Sequence, residues 1–468
     1  MKIKIAVTLL TIGFLFTGCS FGTGVEMMMK PPKLSVQQEE ISLALQEKAG
    51  KNIKLKFPKS GEYRSPILVA NIDDEPTDEA IVFYERSGVN DGESNIRINV
   101  IDQKNNKWES VFDHSGGGIE IEKVVLSRIG ESDKIYIIVG YTMINQTEKF
   151  LSVYSYGDGR LQTLFTDSYS VMEVMDINDD GLQELVLIAG NMKAANIIPS
   201  FNETAYSPTY KDNAAKQILT TKMEIQQQNT IAKVITCDDG IFKTMSETQM
   251  QGIPSDFSSI IRGKVGISTP ALFVDYSIGD GQIQTQILYC SGNQIINPFA
   301  KLPEILALTT RPAGYPSMDI DSDGVVEIQR VSTFPGYEVL PAEDRLYMSD
   351  WFVFEQATLA KKSSGYYNIN DGYCFMLPNR WQGTVTAAYD PILDEMVFYK
   401  YNGTLENSTK ELMRIATVKK GENADKILDG YKTITTKGLT EYMVKIPTEK
   451  NEPLILTRSE ISYNFVIL

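Results

Sequence analysis

The sequence is poor in histidine and cysteine, with one histidine and four cysteines among 468 residues. Hydrolytic triads need a base, an orienting group and a nucleophile brought together, and zinc sites need His and Cys ligands at close spacing. His114 stands alone in a glycine-rich stretch, where we expect a solvated loop. Beyond Cys19, the scattered Cys237, Cys290 and Cys374 allow at most one disulfide. The composition therefore argues against histidine-based catalysis, zinc binding and a disulfide framework.

Basic residues are also scarce, because 45 Lys and Arg face 60 Asp and Glu, for a net charge of −15. Nucleic-acid binding depends on cationic side chains that neutralise phosphates, so we expect no nucleic-acid partner. Gly116 to Gly118 lack the Lys-Ser/Thr that follows a phosphate-binding loop. The carboxylate excess instead fits a cation-binding surface. With 60 Asp and Glu residues, some carboxylates will lie close together by chance. A glycosidase-type pair of carboxylates is therefore compatible with the sequence, but no particular pair is indicated.

Long apolar runs are confined to the N-terminus. Residues 6–16 are apolar and follow Lys2 and Lys4, but they are too few to span a bilayer. Residues 16–19, Phe-Thr-Gly-Cys, resemble a bacterial lipobox, which implies acylation of Cys19 (for example by palmitate) after removal of a signal peptide at 1–18. The alternative is an ordinary signal peptide cut nearby. Residues 19–33 would form a flexible tether reaching about 20 Å. We therefore expect a lipid-anchored protein at the extracytoplasmic surface of the cell membrane.

Two nine-residue segments, 176–184 and 319–327, share one pattern of oxygen-bearing side chains. Positions 1, 3, 5 and 9 are Asp176, Asn178, Asp180 and Glu184 in the first, and Asp319, Asp321, Asp323 and Glu327 in the second. Position 6 is glycine in both, which allows the positive φ of a sharp bend. Ca²⁺ takes about six to eight oxygen ligands, so the pattern predicts a structural calcium ion in each loop. The 319–327 loop has one more carboxylate and should bind more tightly.

An EF-hand begins in the same way but closes with a glutamate at position 12. That position is Leu187 in the first segment and Arg330 in the second, which excludes the EF-hand. The sequences that follow favour strands. The remaining alternative is a pair of Asp/Gly-rich β-turns without metal.

These residues resemble the calcium loops of FG-GAP/VCBS repeats, which form blades of β-propellers in integrin heads and bacterial surface proteins. The resemblance implies that positions 1, 3, 5 and 9 hold the metal. A degenerate third copy lies at 71–79, with Asn71, Asp73, Glu75 and Glu79 at those positions. Pro76 replaces the glycine there, and its fixed φ cannot make the same turn. We expect this copy to keep the blade geometry and to bind metal weakly or not at all.

The rest of the chain predicts a mainly β fold. Ser35 and Gln38 form a candidate capping box for a helix over 35–49. The three loops begin at 71, 176 and 319, at multiples of about 50 residues, which matches the period of a propeller blade. We predict a helix plus a six- or seven-bladed β-propeller over 34–358. A linker at 361–365 and a small α+β domain at 365–468 would follow, with a helix at 408–414 and a terminal strand at 461–468.

These features favour a non-enzymatic binding module whose propeller face takes a protein or glycan ligand. Trp108, Trp351 and Trp381 are expected in the core rather than on a sugar platform. One alternative is an envelope polysaccharide hydrolase or lyase that uses carboxylates in the propeller funnel. Another is a sensor or assembly factor in which 365–468 is the working part.

Overall fold

The computed structural model describes residues 35–73, 75–86, 95–143, 149–191, 229–252, 257–448 and 452–468. The chain is mainly β, and its strands form six antiparallel sheets in these ranges. One compact unit (unit 1) contains the residues up to 58, 64–116 and 157–161, and a second (unit 2) contains 59–63, 117–156 and 162–468. The predicted signal peptide (1–18), Cys19 and tether (19–33) lie outside the described residues. Within them, no helix has the length and apolarity needed to cross a membrane.

Unit 1 begins with the predicted helix. Helix α1 covers Val36–Ala49. Ser35 caps it, because its Oγ accepts a hydrogen bond from the Gln38 amide at 3.2 Å while Gln38 Oε1 accepts the Ser35 amide at 3.1 Å. Gly50 ends it with a φ of +87°. Ile41 and Leu45 are fully buried against sheet 1. The helix and its cap are confirmed.

Sheet 1 of unit 1 is ordered β1-β3-β4-β5, and β2 pairs with β3. Its strands are β1 Ile53–Leu55, β2 Ile67–Ala70, β3 Glu79–Arg86, β4 Ile96–Lys104 and β5 Lys107–Ser115. His114 lies in β5, partly buried, and not in the solvated loop that the glycine-rich sequence led us to expect. Burial lowers the pKa of His114, since a charged imidazole is disfavoured away from water.

Sheets 2, 3 and 4 belong to unit 2, except that residues 157–161 of sheet 2 are assigned to unit 1. Each of these sheets contains a meander of four consecutive strands. Sheet 2 contains β6 Glu120–Ser127, β7 Tyr136–Thr142, β8 Lys149–Gly157 and β9 Arg160–Tyr169. Sheet 3 contains β10 Val171–Met175, β11 Glu184–Asn191, β12 Asn229–Asp238 and β13 Ile241–Met250. Sheet 4 contains β14 Phe257–Val265, β15 Thr269–Gly279, β16 Gln282–Ser291 and β17 Gln294–Ile296. After a 3₁₀ helix (Pro298–Ala300) and α2 (Pro303–Leu308), the short β18 (Arg311–Pro312) pairs with β16.

Sheets 5 and 6 complete unit 2. Sheet 5 is ordered β19-β20-β21-β22-β28, with β19 Ile328–Thr333, β20 Tyr347–Glu355, β21 Thr358–Asn368, β22 Tyr373–Met376 and β28 Phe465–Ile467. Sheet 6 is ordered β23-β24-β25-β27-β26, with β23 Val385–Asp390, β24 Glu395–Lys400, β25 Glu411–Lys419, β26 Lys432–Lys437 and β27 Thr440–Lys445. The helices α3 (Ala424–Leu428) and α4 (Arg458–Asn464) and the 3₁₀ helices Ala342–Asp344 and Asn379–Trp381 lie between strands.

The core of unit 2 consists of apolar layers between sheets that follow one another in the chain. In β11, Leu185 and Leu187 belong to a cluster shared with sheet 2, whereas Val186 and Ile188 belong to one shared with sheet 4. This division follows from the alternation of side chains along a strand. Further clusters join sheet 4 to sheet 5 and sheet 5 to sheet 6. Each fully buried Leu, Ile or Val contributes about 1.5–3 kcal/mol, so this stacking holds the sheets in order.

Other predictions meet mixed outcomes. Trp108, Trp351 and Trp381 are buried as expected, and the three cysteines beyond Cys19 are buried and free. The linker at 361–365 is wrong, because these residues lie within β21, so sheet 5 crosses the predicted domain boundary. The helix at 408–414 is wrong, since β25 begins there and pairs with β24 and β27. The terminal strand at 461–468 shrinks to β28, because α4 occupies its first residues.

Candidate cation-binding loops

The three acidic loops occupy the same place in three hairpins. The 71–79 loop joins β2 to β3, the 176–184 loop joins β10 to β11, and the 319–327 loop leads into β19. In each, the residue before the loop pairs with the glutamate at position 9. These antiparallel pairs are Ala70 with Glu79, Met175 with Glu184, and Met318 with Glu327. The degenerate copy therefore has the hairpin register of the other two.

The position-9 glutamate of each loop is buried and is hydrogen-bonded to the backbone of the same loop. Glu79, Glu184 and Glu327 are 0%, 1% and 0% exposed. One carboxylate oxygen of each accepts a hydrogen bond from the backbone amide at position 2, at 2.9 Å in the 71–79 loop, 3.1 Å in the 176–184 loop and 3.0 Å in the 319–327 loop. Burial raises the pKa of all three to about 7, against the lowering effect of this hydrogen bond.

The position-1 aspartate shapes the bend of the two intact loops. Asp176 accepts the amide of Asp180 at 3.1 Å and that of Gly181 at 2.8 Å. Asp319 accepts the corresponding amides, of Asp323 at 3.0 Å and Gly324 at 2.8 Å. Both glycines have a φ of +88°, a conformation that side chains disfavour. The two sequences therefore fold into the same bend.

In the 319–327 loop the carboxylates converge. Oxygens of Asp319, Asp321 and Glu327 lie within 4.8 Å of one another, close enough to share one cation. No second group of three His, Cys, Asp or Glu side chains in the described ranges meets in this way. The donor chemistry fits Ca²⁺, which prefers carboxylate and carbonyl oxygens.

An ammonium group already lies at this point of convergence. Lys362 Nζ, from β21, donates to Asp321 Oδ1 at 3.0 Å, Asp323 Oδ2 at 2.6 Å and Glu327 Oε1 at 2.7 Å. Burial opposes the charge of Lys362, but these three hydrogen bonds raise its pKa above the ordinary value. The hydrogen bond from Lys362 is also the main cause that lowers the pKa of Asp323.

The 176–184 loop has a different environment. Asn178 Nδ2 donates to Asp180 Oδ2 at 2.8 Å and lies 3.4 Å from Asn293 Oδ1. Among the described residues, no ion pair between a Lys or Arg side chain and Asp176, Asp180 or Glu184 is found. The carboxylates of this loop are therefore not neutralised by a side chain of the described chain.

In the 71–79 loop, the Glu75 amide donates to Asp73 Oδ1 at 3.1 Å, and Asn71 Nδ2 donates to the Glu75 carbonyl. Glu79 Oε1 is buried and has no hydrogen-bond partner in the part of the chain that the structure describes. The Asp102 carboxylate, on the neighbouring strand β4, contributes to the raised pKa of Glu79.

Sequence reasoning missed Lys362. The sequence predicts a linker over 361–365, which begins with the adjacent Lys361 and Lys362. The structure places them in β21, where Lys362 is the extra residue of a β-bulge: Trp351 pairs with Ser363 and Phe352 with Lys361. A bulge re-aims a side chain, and the sequence carries no signal for it.

A polar cleft of about 310 Å³ lies elsewhere in unit 2, along the first strands of sheets 2, 3 and 4. Tyr63, Lys123, Gln183 and Arg262 are among its lining residues. Glu173 on β10 accepts from Lys123 Nζ at 2.8 Å and from Arg262 Nε at 2.8 Å. The lining of the cleft therefore includes an aromatic ring, an amide and two cationic side chains, and both cations are paired with Glu173.

No known protein family and no curated protein matches this sequence. Among solved structures, the chain is similar to the exotype rhamnogalacturonan lyase YesX, with 11% identity, a TM-score of 0.29, and coverage of 77% of this chain and 74% of that one. It is also similar to a rhamnogalacturonan lyase of Bacillus licheniformis, with 10% identity, a TM-score of 0.29, and coverage of 74% of this chain and 74% of that one. A putative 6-phosphogluconolactonase of Bacteroides fragilis has 11% identity and a TM-score of 0.26, with coverage of 72% of this chain and 81% of that one. Similarity at this level assigns no function.

Proposed function

We propose that this chain is a lipid-anchored extracytoplasmic binding protein, built on a β-propeller with FG-GAP/VCBS-like blades and stabilised by a structural cation. The observation that carries the proposal is the identical hairpin register and glutamate hydrogen bond of the three acidic loops. Unrelated acidic turns have no reason to share both. Repetition of one loop in one hairpin context is what a repeat architecture requires.

The stacking of the sheets supports the propeller. Sheets 2, 3 and 4 each contain a meander of four consecutive strands, with β18 as a fifth strand of sheet 4, and they pack in chain order. The five-stranded sheet 5 continues the stack. Propeller blades are four-stranded antiparallel sheets of this kind. We take sheets 2 to 5 as consecutive blades of the six- or seven-bladed ring that the repeat spacing predicts. Sheet 6 with α3 and α4 would be the small α+β domain.

The lipid anchor rests on residues 16–19 and on the apolar run before them. Replacing Cys19 by alanine should abolish incorporation of a labelled palmitate analogue and move the protein from the membrane fraction to the soluble fraction. The proposed lipid anchor would be wrong if the parent protein incorporated no label, or if the Cys19→Ala variant stayed in the membrane fraction.

The 176–184 loop is the proposed cation site, held by Asp176, Asn178, Asp180 and Glu184. The ion would cross-link the bend and neutralise clustered carboxylates. Extracellular calcium modules have dissociation constants down to about 10⁻⁴ M. At about 1 mM calcium such a site adds about 1.4 kcal/mol of stability. Asp180→Ala combined with Asn178→Ala should remove the calcium-dependent rise in Tm while the circular dichroism spectrum is unchanged. A parent protein whose Tm ignores calcium would end this part of the proposal.

A glycan is the ligand that the cleft lining suits best, because an aromatic ring can stack on a sugar face while Gln183 and the exposed guanidinium of Arg262 hydrogen-bond to hydroxyl or carboxylate groups. A glycan-array screen tests this. Tyr63→Ala should lower binding, whereas Tyr389→Ala, an exposed tyrosine on β23, should not. Release of shortened products from a bound glycan would instead favour the polysaccharide hydrolase or lyase. Binding to no glycan would leave a protein ligand as the remaining class.

A further inference from the structure

Two loops with the same sequence pattern have opposite electrostatic surroundings. In the 319–327 loop, positions 3, 5 and 9 each give one carboxylate oxygen to Lys362 Nζ, at 2.6–3.0 Å. These positions are the ones that would ligate a metal ion. An ammonium group has three donors and no acceptor, so the three carboxylates satisfy it completely.

The backbone of sheet 5 holds Lys362 in this place. The bulge between β20 and β21 leaves Lys362 without a cross-strand partner, and a residue at a bulge points away from the regular alternation. Its neighbour Lys361 forms an ion pair with Asp350 at 2.7 Å instead. The two adjacent lysines therefore have separate carboxylate partners, and one of them is available as a matched control.

The ammonium of Lys362 neutralises the buried carboxylate of Glu327 in the 319–327 loop. The Glu327 side chain is 0% exposed, and a buried carboxylate without a partner is strongly destabilising. Lys362 supplies the partner from a side chain that is itself only 26% exposed. A divalent ion at the same point would lie within a few ångströms of the ammonium, and like charges so close together repel strongly. The metal ion and Lys362 cannot share the loop.

We propose that Lys362 is a built-in cation that replaces the metal ion in the 319–327 loop, so that this loop keeps its shape without calcium. The proposal removes the tight calcium binding that the number of carboxylates alone would give to the 319–327 loop. It does not depend on calcium binding at the 176–184 loop, because it concerns only the contacts of Lys362.

Calcium titration of four purified variants tests the proposal, with terbium luminescence and isothermal calorimetry as readouts. Asp180→Ala silences the 176–184 loop, so that the 319–327 loop is observed alone. Asp180→Ala should show no calcium binding below millimolar concentration. Adding Lys362→Met should create a site that binds at least about tenfold more tightly, and calcium should then restore the Tm lost with the ammonium. Adding Lys361→Met instead should create no site.

Adding Asp321→Asn to Asp180→Ala, with Lys362 intact, provides a measurement that does not require the Lys362→Met variant to fold. It should leave the calcium titration unchanged. Two results would overturn the proposal. One is calcium binding by Asp180→Ala that Asp321→Asn abolishes, which would show that the metal displaces Lys362. The other is a folded Lys362→Met variant that neither loses stability without calcium nor gains a site.

Discussion

Replacing Asp275 by alanine will leave the guanidinium of Arg311 buried without its counter-charge. Both side chains are 0% exposed, on β15 and β18 of sheet 4, with Arg311 Nη2 donating to Asp275 Oδ1 at 2.9 Å. The guanidinium also donates to Ser317 Oγ at 2.9 Å, to Thr285 Oγ1 at 2.7 Å and to the Thr309 carbonyl at 2.9 Å. The pair lies at the centre of a fully buried hydrogen-bond network.

The size of the effect follows from this burial. Removing one partner of a buried ion pair costs about 3–5 kcal/mol, because the other charge remains desolvated. Asp275 also accepts the Ser317 amide at 2.8 Å and the Thr285 hydroxyl at 2.6 Å, so further donors lose their acceptor. We expect Asp275→Ala to lower the free energy of unfolding by about 4 kcal/mol. Asp275→Leu with Arg311→Met removes both charges and should cost less than Asp275→Ala alone.

Urea unfolding followed by circular dichroism measures these differences, provided that the slope of the transition is unchanged. Lys243→Ala is the control, because Lys243 and Asp238 also form an ion pair at 2.8 Å but their side chains are each 54% exposed. Its transition should coincide with that of the parent protein. An Asp275→Ala variant within about 1 kcal/mol of the parent, or a double variant less stable than the single one, would refute the reasoning.

Two further changes probe buried polar atoms. Tyr169 Oη is buried with no hydrogen-bond partner among the described residues. Because an unsatisfied buried hydroxyl costs about 1–3 kcal/mol of stability, Tyr169→Phe should raise Tm. A lower Tm would show that the hydroxyl has a partner. The carboxyl of Glu79 has a pKa of about 7 in the folded protein and about 4.3 when unfolded. The folded state therefore binds more protons between these values, and stability falls as pH rises from about 4 to 7. Glu79→Gln, which keeps an acceptor for the Ile72 amide, should flatten that part of the Tm-versus-pH profile; an equally steep profile would contradict it.

The parts of the fold that depend on local pattern were predictable. The Ser35 cap, the helix it begins, and the bends around Gly181 and Gly324 follow from a few neighbouring residues, and the structure has them as expected. The parts set by pairing between distant segments were not. Lys361 to Gly365 look like a linker in isolation, and only the pairing of β21 with β20 makes them a strand.

The candidate site shows the same division. The convergence of Asp319, Asp321 and Glu327 follows from spacing within nine residues. The ammonium that contacts Asp321 and Glu327 belongs to Lys362, which lies 35 residues beyond Glu327 in the sequence. Its placement depends on a bulge opposite Trp351, which no local pattern encodes. Counting carboxylates therefore predicted where a positive charge is needed, but not that the chain supplies one itself.

The hydrogen bond between each position-9 glutamate and the second amide of its loop has a consequence for redesign. It joins the glutamate to the backbone and uses no side chain at positions 3 and 5, so those two side chains can be exchanged while this hydrogen bond is retained. The three loops therefore share one backbone frame for a cation-binding site. Exchanging Pro76 for glycine, with Asn71→Asp and Glu75→Asp, would create a further candidate site in unit 1, where a bound lanthanide could report on that unit separately from unit 2.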